Sequence, residues 1–319
     1  MRVVVIGASG HIGSYLVPLL VDAGHEVVTV SRGQSEPYRR RSVWERTEQI
    51  VADRVAEDEA GTFGKRIADL GADAVIDLIC FEPDSARQLS EALRGRVQHV
   101  LHCGTIWVHG PAIETPMTED VPRRPFGDYG VKKAAIEAYL LTEARTGRLP
   151  ATILHPGHIV GPGWRPINPA GHLQLSVFAQ LANGEPLALP NFGLETLHHV
   201  HADDVARSFM AALERRNASV GESFHVVSPA ALTLRGYAES VAWWYGQDAR
   251  LEFLPYERWK DTVEPADAEA TWNHIAHSPN SSVAKAAALL DWRPRYTSLE
   301  AVYEAVSWYA AKGELPALD

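Results

Sequence analysis

Residues 2–24 read RVVVIGASGHIGSYLVPLLVDAG, and the fold turns on how they are read. The β-branched run Val3–Ile6 stops at a glycine, and from His11 onward apolar residues recur at helical spacing until Gly24. This is the pattern of a strand, a tight turn and a helix. Gly7, Gly10 and Gly13 occupy the turn as G-x-x-G-x-x-G. Such glycines permit a sharp turn, let a pyrophosphate approach bare backbone, and allow the helix to pack closely on the strand, with the helix N-terminus facing negative charge. The position between strand and amphipathic helix gives the pattern its weight. Gly7, Ser9, Gly10, His11, Ile12 and Gly13 are therefore expected to hold a dinucleotide.

Outward from this turn, HEVVTVSRG (residues 25–33) reads as the second strand, and it ends in Ser31-Arg32-Gly33. An acidic residue there would accept hydrogen bonds from the ribose hydroxyls of NAD, whereas an arginine pairs with a 2′-phosphate, which favours NADP over NAD. Residues 33–66 turn charged and predict a long loop with one weak strand, QIVADR; Arg39, Arg40 and Arg41 read as solvated loop. Asp53 and Arg54 either flank the adenine or form a surface ion pair. ADAVIDLICF, VQHVLHCGTIWV and ATILHPGHIVGPG are further buried strands, the first two separated by the helical PDSARQLSEALRG. Continuous apolar strands alternating with helices predict an α/β, doubly wound, Rossmann-type parallel sheet. From Gly161 the proline- and glycine-rich GPGWRPINPAG opens a smaller C-terminal α+β lobe. The predicted division is 1–163 with about 195–228 for dinucleotide binding, and about 164–194 with 229–319 for substrate.

A net charge of -10 argues against nucleic acid and anionic membranes as partners, since both need a basic face. Two cysteines, Cys80 and Cys103, suit a reduced, cytoplasmic compartment. No apolar run reaches the ~20 residues of a membrane span, and the first is too short for a secretory core. A soluble protein acting on a small molecule is the expectation.

Tyr129 and Lys133 are four residues apart in GDYGVKKAAIEAYLL, so on a helix they share a face. An ammonium beside a phenol stabilises the phenolate, and a tyrosine so tuned can exchange a hydroxyl proton while hydride moves at the same carbon. Thr105 ends the strand before them and could hold the reacting oxygen.

With these residues placed, the chain resembles the extended short-chain dehydrogenase/reductase superfamily, grouped as NAD-dependent epimerase/dehydratase. GASGHIG resembles its glycine turn, HVLHCGTIWVHG its strand ending in Ser-Ser-x-x-Val-Tyr-Gly, and YGVKKAAIE its active-site helix. LHPGHIVGPG resembles the strand and loop whose backbone clamps the nicotinamide amide, HVHADDVARSFMAAL the helix after the second-lobe entry, and SSVAKAAALLDWRPRYTSLEAVYEAVSWY the family's ending. The resemblance implies that Thr105, Tyr129 and Lys133 are catalytic, with Lys133 also binding nicotinamide ribose. It implies cofactor contacts from Leu78, Ile79, Cys80, Pro156, Gly157 and His158 beside the glycine turn, Arg32, Asp53 and Arg54.

The chain also departs from that family. Where nucleotide-sugar 4,6-dehydratases carry Asp-Glu after the threonine, it has Ile106 and Trp107, which transfer no protons. Where nucleotide-sugar epimerases place an arginine before H-V-x-D, it has Leu197; residues 261–292 hold no arginine, and Ser282 replaces the aspartate of the later motif. Loss of two guanidiniums weakens the case for a diphosphate. Trp107, His109, His158, Trp164 and His199 are the expected substrate contacts, and His155 stands in place of the usual arginine. His198, His199 and His201 could form a metal site only against the alternation of strand side chains; no metal is expected. Tryptophans 243, 244, 259, 272, 292 and 308 are expected mostly in the core or a subunit contact. The helices PDSARQLSEALRG and VKKAAIEAYLL serve either a homodimer bundle or a monomer's core.

The leading functional expectation is an NAD(P)-dependent oxidoreductase interconverting a secondary alcohol and a ketone on a small hydroxylated substrate. An NAD-dependent sugar or nucleotide-sugar epimerase is the alternative, followed by a non-catalytic dinucleotide-binding protein.

Overall fold

The computed structural model describes residues 1–35, 37 and 42–318; Arg39, Arg40 and Arg41 lie outside them. Parallel strands β1 (Arg2–Ile6), β2 (Glu26–Ser31), β3 (Glu48–Val51), β4 (Ala74–Asp77), β5 (His99–Cys103) and β6 (Ala151–Pro156) join a seventh, Ser223–Val226. The sheet order is β3, β2, β1, β4, β5, β6, then Ser223–Val226, so the chain reverses direction across the sheet between β1 and β4. Val3–Ile6 and the residues they pair with are buried on both faces, which is why these strands read as unbroken apolar runs. In doubly wound sheets, ligands bind at the carboxyl ends of the strands beside such a reversal.

Helix α1 (His11–Asp22) buries most of its length beneath the sheet against the helix Ala202–Glu214. Between β2 and β4 the expected loop is more structured: a 3-10 turn Ser42–Arg46, helix α2 (Arg54–Glu59) and helix α3 (Phe63–Ala68) flank β3. The charged composition hid them because Asp53 is a cap and not a strand end, its carboxylate accepting from the Val55 and Ala56 amides at 3.0 and 3.3 Å. Arg54 turns inward, and α3 buries Phe63 and Ile67 against α4 (Pro83–Leu93).

ATILHPGHIVGPG is two strands. It breaks at Gly157, where a Cβ would lie 2.3 Å from the His198 carbonyl, and resumes as β7 (His158–Val160) paired with His199–His201. A second apolar core collects Phe178, Leu189, Tyr237, Trp259 and Val306 around the paired strands Leu187–Pro190 and Leu251–Leu254. Of the tryptophans, Trp259 and Trp292 are buried with their indole N–H on the Ala188 and Asp204 carbonyls, while Trp243 and Trp272 are exposed. Among the described residues no helix is long and apolar enough to cross a membrane.

Candidate active site

A cleft of about 480 Å³ opens at the carboxyl ends of β1, β2 and β4, lined by Gly7, Ser9, Gly10, Arg32, Asp53, Arg54, Ile79, Phe81 and Trp164 among others. Gly7 has φ +84, and a Cβ there would meet the Ile79 side chain at 2.6 Å. Gly13 lies beneath, where a Cβ would stand 2.0 Å from the Ala8 carbonyl, so α1 can approach β1 only with glycine at this place. Gly10 caps α1 without a side chain, leaving the first amides of the helix facing the cleft for an anion. His11 stacks on Trp164, ring centroids 5.0 Å apart, which brings the segment GPGWRPINPAG over the glycine turn.

On the far side of the cleft Asp53 and Arg54 do not pair with each other. Arg54 donates to Asp77 at 2.6 Å and Ser85 at 2.8 Å and is 6 % exposed. Its charge is neutralised internally, whereas Arg32 is an exposed guanidinium at the end of β2. Leu78 and Cys80 are buried past the end of β4.

β5 ends at Cys103, and Thr105 caps a 3-10 turn, Ile106–His109, its hydroxyl accepting from the Trp107 amide at 3.3 Å. Helix α5 (Gly127–Arg145) carries Tyr129 in its first turn and Lys133 one turn on. Tyr129 is 42 % exposed, and the Thr105 side chain faces its phenol. Desolvation by the surrounding walls pushes the phenol up to about 12, outweighing the lowering effect of the Thr105 side chain, so it carries its proton. The Lys133 ammonium lies 5.9 Å from the Tyr129 ring centroid. The ammonium is 2 % exposed and donates to the Cys80 and Cys103 carbonyls, both at 2.8 Å, tying the ends of β4 and β5 together. Burial lowers this lysine, and nearby Cys103, Cys80 and Asp77 partly oppose the effect.

Around Tyr129 the wall is aromatic. Trp107 meets the Tyr129 ring edge-on at 5.8 Å and stacks on His277 at 4.2 Å; Phe126 stacks on the same imidazole at 4.0 Å. His158 and His274 approach each other at 4.8 Å beside Trp107. His274 Nδ1 donates to the Gly171 carbonyl at 2.7 Å and His277 Nδ1 to Asn273 at 2.6 Å. Burial lowers both imidazoles, His274 to about 4, and they are neutral at pH 7.

Of the expected substrate contacts, Trp164 lines the cleft, and Trp107 and His158 belong to the aromatic wall beside Tyr129. His109 and His199 do neither: both are buried, His109 against His225 at 2.7 Å between Nε2 atoms, His199 edge-on to Tyr237. The residues not anticipated are Phe81, Phe126, His274 and His277. Only the last two left a trace, a pair of histidines at i, i+3 in WNHIAH. The triplet His198, His199, His201 is spent on structure: His198 bonds the Ser228 carbonyl and the Ser281 amide, and His201 caps its helix. Among the described residues no cluster of three or more metal-ligating side chains occurs.

With this geometry in place, comparison with known proteins adds four findings. A family model described as NAD dependent epimerase/dehydratase matches residues 3–226. The chain is 29% identical over 280 residues to 2'-dehydrokanamycin reductase from Streptomyces kanamyceticus, covering 86% of this chain and 76% of that protein. It is 25% identical over 338 residues to a UDP-glucose 4-epimerase of Mycolicibacterium smegmatis, covering 98% and 100%. Among solved structures, dTDP-glucose 4,6-dehydratase from Bacillus anthracis in complex with NAD superposes with a TM-score of 0.76 at 17% identity, covering 98% of each chain.

Proposed function

Because the chain belongs to the NAD dependent epimerase/dehydratase family, a family of enzymes, we propose that it is an NAD(P)-dependent oxidoreductase that interconverts a ketone and a secondary alcohol on a small hydroxylated substrate. The observation that carries this reading is the Tyr129 phenol, exposed beside Trp107 and beside Phe81 of the cleft wall, with the Thr105 side chain facing it and Lys133 one helical turn on.

The glycine turn fits a dinucleotide: bare backbone at Gly7 and Gly10, open amides at the start of α1, and room that a Cβ would remove. Among the described residues lining the cleft, Arg32 is the cation available to a 2′-phosphate, because Arg54 is committed to Asp77, so NADP is proposed over NAD. Pro156, Gly157 and His158 are proposed beside the nicotinamide, and Lys133 beside its ribose. When bound, the cofactor supplies or accepts a hydride at the reacting carbon. In the reducing direction Thr105 orients the substrate oxygen and Tyr129 delivers the proton to it. A phenol pushed up to about 12 is stocked for that donation at neutral pH. The neutral rings Trp107, His158, His274 and His277 favour an uncharged, hydroxylated substrate over one carrying phosphates, in keeping with a reductase among the relatives.

Full-length similarity to a UDP-glucose 4-epimerase supports a second reading, in which a tightly held cofactor takes hydride and returns it to the other face. Leu197, wholly buried, and Ser282, whose amide is bound to the Met117 carbonyl, stand where phosphate-binding motifs would lie and count against it. A screen of ketones, alcohols and UDP-sugars with NADPH and NADH separates the two. Oxidation of added NADPH by a ketone supports the reductase. Tightly bound NAD in the purified protein, with turnover of a UDP-sugar and no added cofactor, overturns it. Tyr129→Phe is expected to cut turnover ~10²–10⁴-fold with cofactor affinity unchanged.

A further inference from the structure

Two departures from the resembling motifs meet in space. Gly104-Thr105 stands where the family has Ser-Ser, and His155 stands where it has arginine. The His155 imidazole is fully buried and lies against Gly104 so closely that a Cβ at residue 104 would be 2.4 Å from its Nδ1. That same Nδ1 accepts the Thr105 amide at 2.9 Å. An atom accepting from a backbone N–H carries a lone pair, so the ring proton sits on Nε2, which donates to Glu137 Oε1 at 3.0 Å. Arg123 holds Glu137 in turn, at 2.5 and 3.2 Å on its two oxygens, and also reaches the Ser223 hydroxyl and the Glu119 and Val121 carbonyls. Burial alone would raise the Glu137 carboxyl; His155 and Arg123 outweigh it and hold it below the usual carboxylate range. Glu137 belongs to α5, the helix that bears Tyr129 and Lys133.

We propose that His155 is a positioning residue which, locked by Glu137 and Arg123, fixes the Thr105 backbone relative to Tyr129, and that Gly104 is the vacancy that admits its ring. The role rests on the reading of Thr105 as holder of the reacting oxygen. A direct link from α5 through an imidazole to the turn that starts at Thr105 sets the spacing between the two hydroxyls, and displacements of ~1 Å at such a spacing cost turnover ~10²-fold.

The two amides, asparagine and glutamine, divide the ring's functions. In His155→Asn the side-chain carbonyl can occupy the place of Nδ1 and accept from Thr105, while His155→Gln extends toward Glu137 and leaves the Thr105 amide unheld. Steady-state kinetics with the wild-type substrate, Tm and cofactor titration are compared across the wild type, both variants and Gly104→Ala. His155→Gln and Gly104→Ala are each expected to lower kcat about 10–100-fold with KM and cofactor affinity changed less than about threefold, and His155→Asn to recover most of the loss. A His155→Gln variant that keeps kcat within about twofold of wild type would overturn the assignment. So would equal losses in both variants that follow a common fall in Tm. Failure of the underlying reading shows separately, as unchanged turnover in Tyr129→Phe or Thr105→Ala.

Discussion

Lys133 shows how far a residue's role depends on what its neighbours leave unsatisfied. Four-residue spacing placed it beside Tyr129, and its ammonium, 5.9 Å from that ring, also donates to the Cys80 and Cys103 carbonyls. Removing the cation therefore strands two buried acceptors at the ends of β4 and β5, a cost of ~1–3 kcal/mol before any catalytic effect. Lys133→Met is expected to lower Tm by several degrees and to reduce turnover as well, checked by thermal denaturation beside kinetics; unchanged Tm with lost turnover would mean that the tether is not structural. Arg32 is the converse case, an exposed side chain with no folding role in view. Arg32→Ala is expected to leave Tm within about 1 °C and to weaken NADPH roughly tenfold more than NADH, by fluorescence titration; equal weakening would remove the basis for the NADP proposal.

At the scale of elements, the approach of α1 to β1 is fixed by Gly13, whose substituent would meet the backbone of Ala8 with no flexible side chain to yield. Gly13→Ala is expected to destabilise by about 1–3 kcal/mol and to abolish measurable dinucleotide binding, read from Tm and cofactor titration together. Retained binding would show that the helix can ride up without opening the cradle. This junction was legible in the sequence because strand, turn and helix each leave a local mark. The parallel, doubly wound character of the sheet followed from strands alternating with helices. Helices α2 and α3 were not legible: Arg54 belongs inside only because Asp77, from another strand, awaits it. The site divides in the same way. Thr105, Tyr129 and Lys133 were visible through spacing and position, whereas His109 was expected in the pocket but meets His225, a residue 116 places distant. The His274–His277 wall comes from a helix whose direction no local pattern gives.

For the molecule as a whole, the buried histidines set the acid limit of stability. Desolvation holds His99, His198 and His274 down at about 4 and His11, His109 and His199 at about 3, in each case as the largest effect. An imidazole with a folded pKa below its unfolded value of ~6.5 binds protons more readily in the unfolded chain. Its contribution to stability is therefore complete above ~6.5 and is lost as pH falls from there toward its folded value. One unit below 6.5, each such group has given up about 1.4 kcal/mol, and six of them acting even half independently amount to several kcal/mol of a typical total of ~5–15. Coupling limits the sum, since the shared contact of His109 and His225 lets only one proton lie between them. Tm is thus expected to hold nearly level from pH 8 to 7 and to fall steeply between 6.5 and 5, by 10 °C or more on the order-of-magnitude scale of these terms. His99→Gln retains a polar group toward Thr152 but removes a titrating ring, and should flatten that slope by about one proton's worth without moving the pH 7.5 value more than a few degrees. A Tm that stays constant down to pH 5.5 would show that these imidazoles ionise in place, with water reaching them, and that the core around the sheet is wetter than its packing indicates.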